Sequence, residues 1–292
     1  MQSACSRTFV SRPYFITSLS SVSSVDTRDL SAQNLEQQLE KTAHHAEFAV
    51  LPIWYNDVND PSSARVAGSA FLVTPDGYFI TAAHVLQQYK PKSAQMTVGL
   101  RQRSGDTGGS WFDVVEKDEA HDLALCKTTP PLPNFAADKT NPGTERPIAS
   151  FRVAATPPLL GQFIAIAGFP LGSWNPAIQL GTVAALRTVN PNAGRVPSGQ
   201  RELLQVSASG NMGNSGSPVI ALDTGDVIGV IVQAQPAPLF STLQNVPLAQ
   251  SSGIMLAVPA CWVADLLKRH DVKSVAQNPP VGHTSYHPLP SR

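Results

Sequence analysis

The 292-residue chain carries little charge and no bias in its sign: charged residues make up 14%, with 21 Lys+Arg against 21 Asp+Glu. A neutral balance offers no attraction to a polyanion, so nucleic acid is not an expected partner. No run of about 18 apolar residues occurs, so no membrane span is expected. Cysteine is scarce too, with only Cys5, Cys126 and Cys261. An odd, widely spaced set is neither a disulfide framework nor a zinc site. Cys126 and Cys261 are expected to be small core residues. The histidines His44, His45 and His121 lack the spacing of partnered metal ligands, so no metal and no cofactor is expected. His44-His45 reads as an exposed pair at a helix end.

Acidic residues are also missing from the first 25 positions, which hold Arg7, Arg12 and eight serines. That composition fits an organelle transit peptide. The preferred alternative is an unstructured leader or a misassigned start, which makes residues 1–27 a disordered segment and the cytoplasm the expected compartment.

What the chain does have is proline, 25 residues, glycine, 20 residues, and a hydrophobic fraction of 42%. This suits a compact core built from short strands and tight turns. Residues 28–45 read as a polar helix, with Leu30, Leu35, Leu39 and Ala43 near helical spacing. Strand-like runs follow at Phe48–Trp54, Ala64–Val73, Tyr78–Ala82, Met96–Gln102, Trp111–Glu116 and Leu123–Lys127. The turn Thr74-Pro75-Asp76-Gly77 joins two of them as a hairpin. A proline-rich stretch at 128–150 reads as a connection. A second set then appears at Phe163–Ala167, Ile178–Leu186, Glu202–Val206, Pro218–Ala221, Val227–Val232 and Ile254–Val258. Residues 187–200 and 234–252 read as long surface loops. Regular strands of this kind indicate barrels or a sandwich. Residues 259–270 close the chain as a helix, with Pro259 near its first turn and Lys268, Arg269 and His270 in its last. A C-terminal tail occupies 271–292.

Three short segments carry chemistry. In Gly210-Asn211-Met212-Gly213-Asn214-Ser215-Gly216-Ser217-Pro218, glycines flank a serine and let the backbone approach a substrate carbonyl. A serine hydroxyl needs a neighbouring base, and the oxyanion it generates needs aimed N–H groups. Gly213 and Ser215 would supply them, with Asn214 alongside. In Thr81-Ala82-Ala83-His84, a histidine follows a strand between small residues and could serve as that base. In His121-Asp122-Leu123-Ala124-Leu125, an acid precedes an apolar strand, where it could fix the histidine tautomer. Alone, each segment has an ordinary structural reading. Together they stand in the order His84, Asp122, Ser215, separated by 38 and 93 residues. The first spacing suits base and acid from one barrel, and the second places the nucleophile in the other.

At these residues the chain resembles the trypsin-like (chymotrypsin-fold) serine peptidases, through TAAH, DLAL and GNSGSP. Gly161–Gly172, Leu180–Val183 and Gly225–Val230 resemble the HtrA/Deg proteases more closely, and the resemblance covers roughly residues 44–270. It implies an all-β fold of two six-stranded antiparallel β-barrels, chymotrypsin-like, with an N-terminal and a C-terminal helix. The peptidase domain would span 28–270, with barrel one at about 46–130, barrel two at about 150–258 and the closing helix at 259–270. It also implies a serine endopeptidase acting on proteins or peptides through His84, Asp122 and Ser215, by way of an acyl-enzyme.

Some features depart from the family. Only about 22 residues follow His270, too few for a PDZ domain. Ser217 stands where HtrA proteases carry glycine, as in the glutamyl endopeptidases. Their pocket histidine is replaced by Ile231 in Gly229-Val230-Ile231, so acidic specificity is not expected. By position, Ser209, Ile231 and Gln233 would line the specificity pocket. None is acidic, and burying an unpaired Lys or Arg there would be costly, so small or medium apolar residues are expected before the scissile bond. The competing reading is a catalytically silent peptide-binding or scaffolding protein on the same fold. The sequence sets no oligomeric state.

Overall fold

The structure is a computed structural model that describes residues 32–57, 60–90, 96–101, 107–130, 149–173, 175–189, 201–237 and 250–274. The segment expected at 1–27, the tail beyond 274, most of the proline-rich connection and the centres of both expected long loops lie outside these residues.

Helix α1 (Ala32–Ala49) leads into β1 (Val50–Asp57). The sequence places a strand from Phe48, but the helix continues to Ala49 because Thr42, Ala46 and Ala49 keep helical spacing and are all buried. Five strands follow: β2 (Asp60–Leu72), β3 (Tyr78–Ala82), β4 (Met96–Arg101), β5 (Thr107–Asp118) and β6 (Leu123–Thr129). They close with β1 into a barrel in the order β1-β2-β3-β6-β5-β4. The Thr74–Gly77 hairpin forms as expected: Gly77 has φ 100°, and the Tyr78 N–H donates to the Thr74 hydroxyl at 3.0 Å.

The second barrel contains β7 (Phe163–Gly168), β8 (Ala177–Val189), β9 (Arg201–Ser207), β10 (Pro218–Ala221), β11 (Val227–Ala237) and β12 (Gln250–Pro259). Its order is β10-β11-β12-β9-β8-β7, again closed, and every named strand pair in both barrels is antiparallel. Helix α2 (Ala260–Arg269) follows directly, with Pro259 as its N-cap. Residues 187–189, 234–237 and 250–252 belong to β8, β11 and β12 rather than to the loops expected there. Their polar, proline-containing sequence hides the strand period.

The two barrels share their apolar contacts. Phe79 to Ala82 and Leu123 to Cys126 are buried without alternation, because the outer faces of β3 and β6 are covered by β11 and α2 respectively. One continuous core cluster joins Phe71, Phe79 and Leu125 of barrel one to Val230, Val258 and Leu266 of the second half. Each such side chain contributes about 1.5–3 kcal/mol, against about 0.5–1.5 for a net hydrogen bond. The apolar seam therefore holds the barrels together, and the polar bonds crossing it set their alignment. The connecting segment spans the same seam: Phe151 N–H donates to Leu72 O at 2.8 Å, and Val227 N–H to Arg152 O at 2.9 Å.

Cys126 is a fully buried free thiol whose pKa burial pushes up, as expected of a core residue. Cys261 differs: it is half-buried on α2 and disulfide-bonded. His45 is likewise not an exposed helix-end residue. It lies inside α1 with Nε2 at 3.1 Å from Ser150 O and its ring edge-on to Phe151. Burial lowers its pKa, reinforced by the nearby charges of His44 and Lys41 and opposed by the Ser150 carbonyl.

The folded value lies below the unfolded one. The neutral ring's contribution is therefore complete above about pH 6.5 and is lost as pH falls towards the folded-state value. Urea denaturation is expected to show unfolding free energy decreasing from about pH 7 to about pH 5, and decreasing less in His45→Gln.

Candidate active site

Strand β3 ends at Ala82 and passes into one 3-10 turn, Ala83–Leu86. Ala83, Val85 and Leu86 are buried and anchor the turn, which leaves the His84 side chain 36% exposed. Asp122 immediately precedes β6, and the β3–β6 register pairs Ala82 with Leu123. The adjacent His84 and Asp122 are thereby brought face to face. Asp122 has φ 57°, in the left-handed region that Asp tolerates better than most side chains.

Three hydrogen bonds fix the pair. Ala83 N–H donates to Asp122 O at 3.1 Å, His84 N–H to Oδ1 at 2.9 Å, and Nδ1 lies 2.8 Å from Oδ2. An ionised carboxylate only accepts, so Nδ1 carries a proton, and in the neutral ring Nε2 then holds the lone pair. That is the tautomer a general base requires.

The serine turn comes from barrel two but is fastened to barrel one. Ser69 N–H, on β2, donates to Ser215 O at 2.8 Å. Gly216 N–H donates to Ile231 O at 2.7 Å. Gly216 has φ 86°, and a Cβ there would overlap the Ser69 carbonyl and lie 3.1 Å from Ala82 N. The turn thus passes against the end of β3, two residues before His84. Gly213 has φ 96°, and a Cβ there would overlap Phe169 O. Both glycines are required by close backbone approach as well as by conformation. Met212 O accepts from Leu171 N–H at 2.7 Å, and Asn214 N–H donates to Asn211 O at 3.2 Å. The Asn214 N–H is thereby committed within the turn. The Gly213 and Ser215 N–H groups donate to no backbone carbonyl among the described residues.

The three expected pocket residues are placed differently from one another. Ser209 and Gln233 are exposed, whereas the Ile231 side chain is 1% exposed in the second barrel's core. Ile231 meets the serine turn through its backbone instead. Ala234 and Met255 lie beside Gly210, within 2.7 Å of where its Cβ would stand, and were not singled out from sequence. Ser69, Phe169 and Leu171 are also part of this surround. Gly68-Ser69-Ala70, three small residues inside an apolar strand, was the available signal.

His121 takes a structural place beside the site. Its Nδ1 lies 2.9 Å from Asp118, and its ring stacks on Trp262 at 3.7 Å. Among the described residues, no group of three or more His, Cys, Asp or Glu side chains is arranged to hold a metal. No described helix is long and apolar enough to cross a membrane.

Two closed antiparallel barrels with a His–Asp pair on one and a glycine-flanked serine turn on the other define the chymotrypsin-like class. The chain belongs to the trypsin-like peptidase domain family, whose model matches residues 68–230. Its relatives include HtrA proteases. It is 25% identical to serine protease HTRA4 of Mus musculus over 85% of this chain, and 29% identical to mitochondrial serine protease HTRA2 of Bos taurus over 71%. The chain spans 42% and 37% of those proteins' lengths. The fold is shared with the active form of the Rv3671c protease from M. tuberculosis, at TM-score 0.54, 20% identity, and 82% and 86% of the two chains. It is also shared with the HtrA-type protease AlgW with tripeptide, at TM-score 0.51, 19% identity, and 79% and 62% coverage.

The geometry of the pair generates a spectroscopic expectation. In Asp122→Asn, the amide oxygen must keep accepting from His84 N–H, which leaves the amide NH2 facing Nδ1. Nδ1 must then accept, and the ring proton moves to Nε2. Proton–nitrogen NMR of the His84 ring is expected to show Nδ1–H in the wild type and Nε2–H in the folded variant.

Proposed function

We propose that this chain is a serine endopeptidase that cleaves peptide bonds through His84, Asp122 and Ser215. The observation that carries the reading is the doubly hydrogen-bonded His84–Asp122 pair beside a serine turn fastened to the same barrel. Nε2 of His84 takes the Ser215 Oγ proton as the oxygen attacks the scissile carbonyl. Asp122 stabilises the resulting imidazolium without taking its proton. The N–H groups of Gly213 and Ser215 receive the oxyanion. His84 then protonates the leaving amine, and water hydrolyses the acyl-enzyme by the reverse sequence of proton transfers. No step needs a cofactor. The relatives' designation as serine proteases supports the same activity.

The substrates are protein or peptide chains. Ser209 and Gln233 are exposed and Ile231 is buried, and none of the three supplies an anionic partner for a substrate cation. Small or medium apolar residues are therefore expected before the cleaved bond. A peptide library cut chiefly after Lys, Arg or Glu would show that this pocket is wrongly assigned.

The activity itself is tested with a fluorophosphonate probe and fluorescent casein. Wild type is expected to label once, at Ser215, and to degrade casein. Ser215→Ala is expected to lose labelling, with kcat lowered by about 10⁶. Folded wild type that neither labels nor cleaves, while still binding peptide, would establish the silent scaffold in its place.

A further inference from the structure

Ser69 is fully buried on β2, yet each of its polar groups has a partner. Its N–H donates to Ser215 O at 2.8 Å, and its carbonyl accepts from the Thr81 hydroxyl at 2.7 Å. Its own Oγ accepts from Phe169 N–H at 3.0 Å and donates to Gly213 O at 2.7 Å. The direction of the last two bonds is forced, because an amide N–H cannot accept and a carbonyl cannot donate.

Successive peptides of the serine turn must alternate. Those joining Met212 to Gly213 and Asn214 to Ser215 carry the two N–H groups of the oxyanion hole. The peptide between them must face the opposite way. In a trans peptide, C=O and N–H point in opposite directions, so anchoring a carbonyl fixes its N–H. Met212 O is held by Leu171 N–H at 2.7 Å, and Asn214 O by Ser217 N–H at 3.0 Å. Gly213 O, on the middle peptide, is held by the Ser69 hydroxyl. The same hydroxyl fixes Phe169, two residues before the Leu171 that holds Met212. Glycine at 213 makes this turn easy to rotate, so its orientation depends on such anchors.

We propose that Ser69 is a positioning residue of the oxyanion hole, its hydroxyl holding the Gly213–Asn214 peptide so that the flanking Gly213 and Ser215 N–H groups converge. This rests on the peptidase reading above. It assigns to barrel one, which already carries the base and acid, a third part in the chemistry.

The test compares Ser69→Ala with Thr74→Val. The latter loses another buried hydroxyl bond, to Tyr78 N–H, in the hairpin turn. Steady-state cleavage of an apolar peptide substrate and inhibition by a peptide boronate are measured with thermal melting. Ser69→Ala is expected to lower kcat about 10- to 100-fold, with KM within about twofold. The boronate inhibition constant should rise by a similar factor, since its tetrahedral adduct occupies the hole. Ser69→Cys, with a weaker donor in nearly the same volume, should recover part of the loss. It also carries the comparison should the alanine variant not fold. Thr74→Val should lower the melting temperature alone. A Ser69→Ala kcat within about twofold of wild type, or an equal kcat loss in Thr74→Val, would overturn the proposal while the peptidase reading stood. A wild type with no turnover and no Ser215 labelling would overturn both.

Discussion

The hydrogen bond from Ser69 N–H to Ser215 O is the point on which the site depends, because it joins the backbone of Ser215, the proposed nucleophile, to the barrel that carries His84 and Asp122. A reactive geometry split across two barrels is only as accurate as their alignment, and displacements near 1 Å can cost about 100-fold in rate. The apolar seam through Phe71, Val230 and Val258 presses the halves together but has no directional preference. Direction comes from the short bonds of Ser69 and from the bare backbone of Gly216, which allows the serine turn to lie against Ser69 and Ala82.

Much of this architecture can be read locally. Strands β3 and β10 have the expected bounds because both are short apolar runs between clear turns. The extensions of β8, β11 and β12 were not legible, since residues such as Gln233, Gln235 and Pro236 obey neither strand period nor strand propensity. They are strand because cross-strand partners such as Met255 and Ser251 on β12 lie opposite Ala234 and Pro236. Ala46 and Ala49 show the converse. Alanine suits many environments, and only their burial under the helix explains why α1 outlasts its expected end.

At the site, the legible residues were those with chemically distinctive side chains in distinctive neighbourhoods. His84 and Asp122 meet because Ala82 pairs with Leu123, a register that two adjacent apolar strands make readable. Ser69 was opaque for the opposite reason. The small-residue run Gly68-Ser69-Ala70 is only a weak local signal, and the partner Gly213 is 144 residues away. The pocket residues fall between these cases. Position along the chain points to β11 at Ile231, but barrel curvature and the bulge between Ile231 and Gln233 decide which side chains face outward.

The Gly168–Ser217 contact shows how closely the two halves of the second barrel are matched beside Ser215. A Cβ on Gly168 would overlap the Ser217 hydroxyl, and would lie 2.9 Å from Ser69 Oγ and 3.2 Å from Asn214 Oδ1. Serine at 217 is therefore accommodated by the missing side chain at 168, and neither position can be understood alone. The Ser217 hydroxyl is buried without a hydrogen-bond partner among the described residues, a cost of about 1–3 kcal/mol. One or two side chains of the apolar seam offset that cost. The fold can thus hold polar groups behind the serine turn, and among them the Ser69 hydroxyl can bond to a backbone carbonyl without competition from bulk water. In a water-filled turn, the same hydroxyl would exchange partners, and Gly213 would be free to rotate.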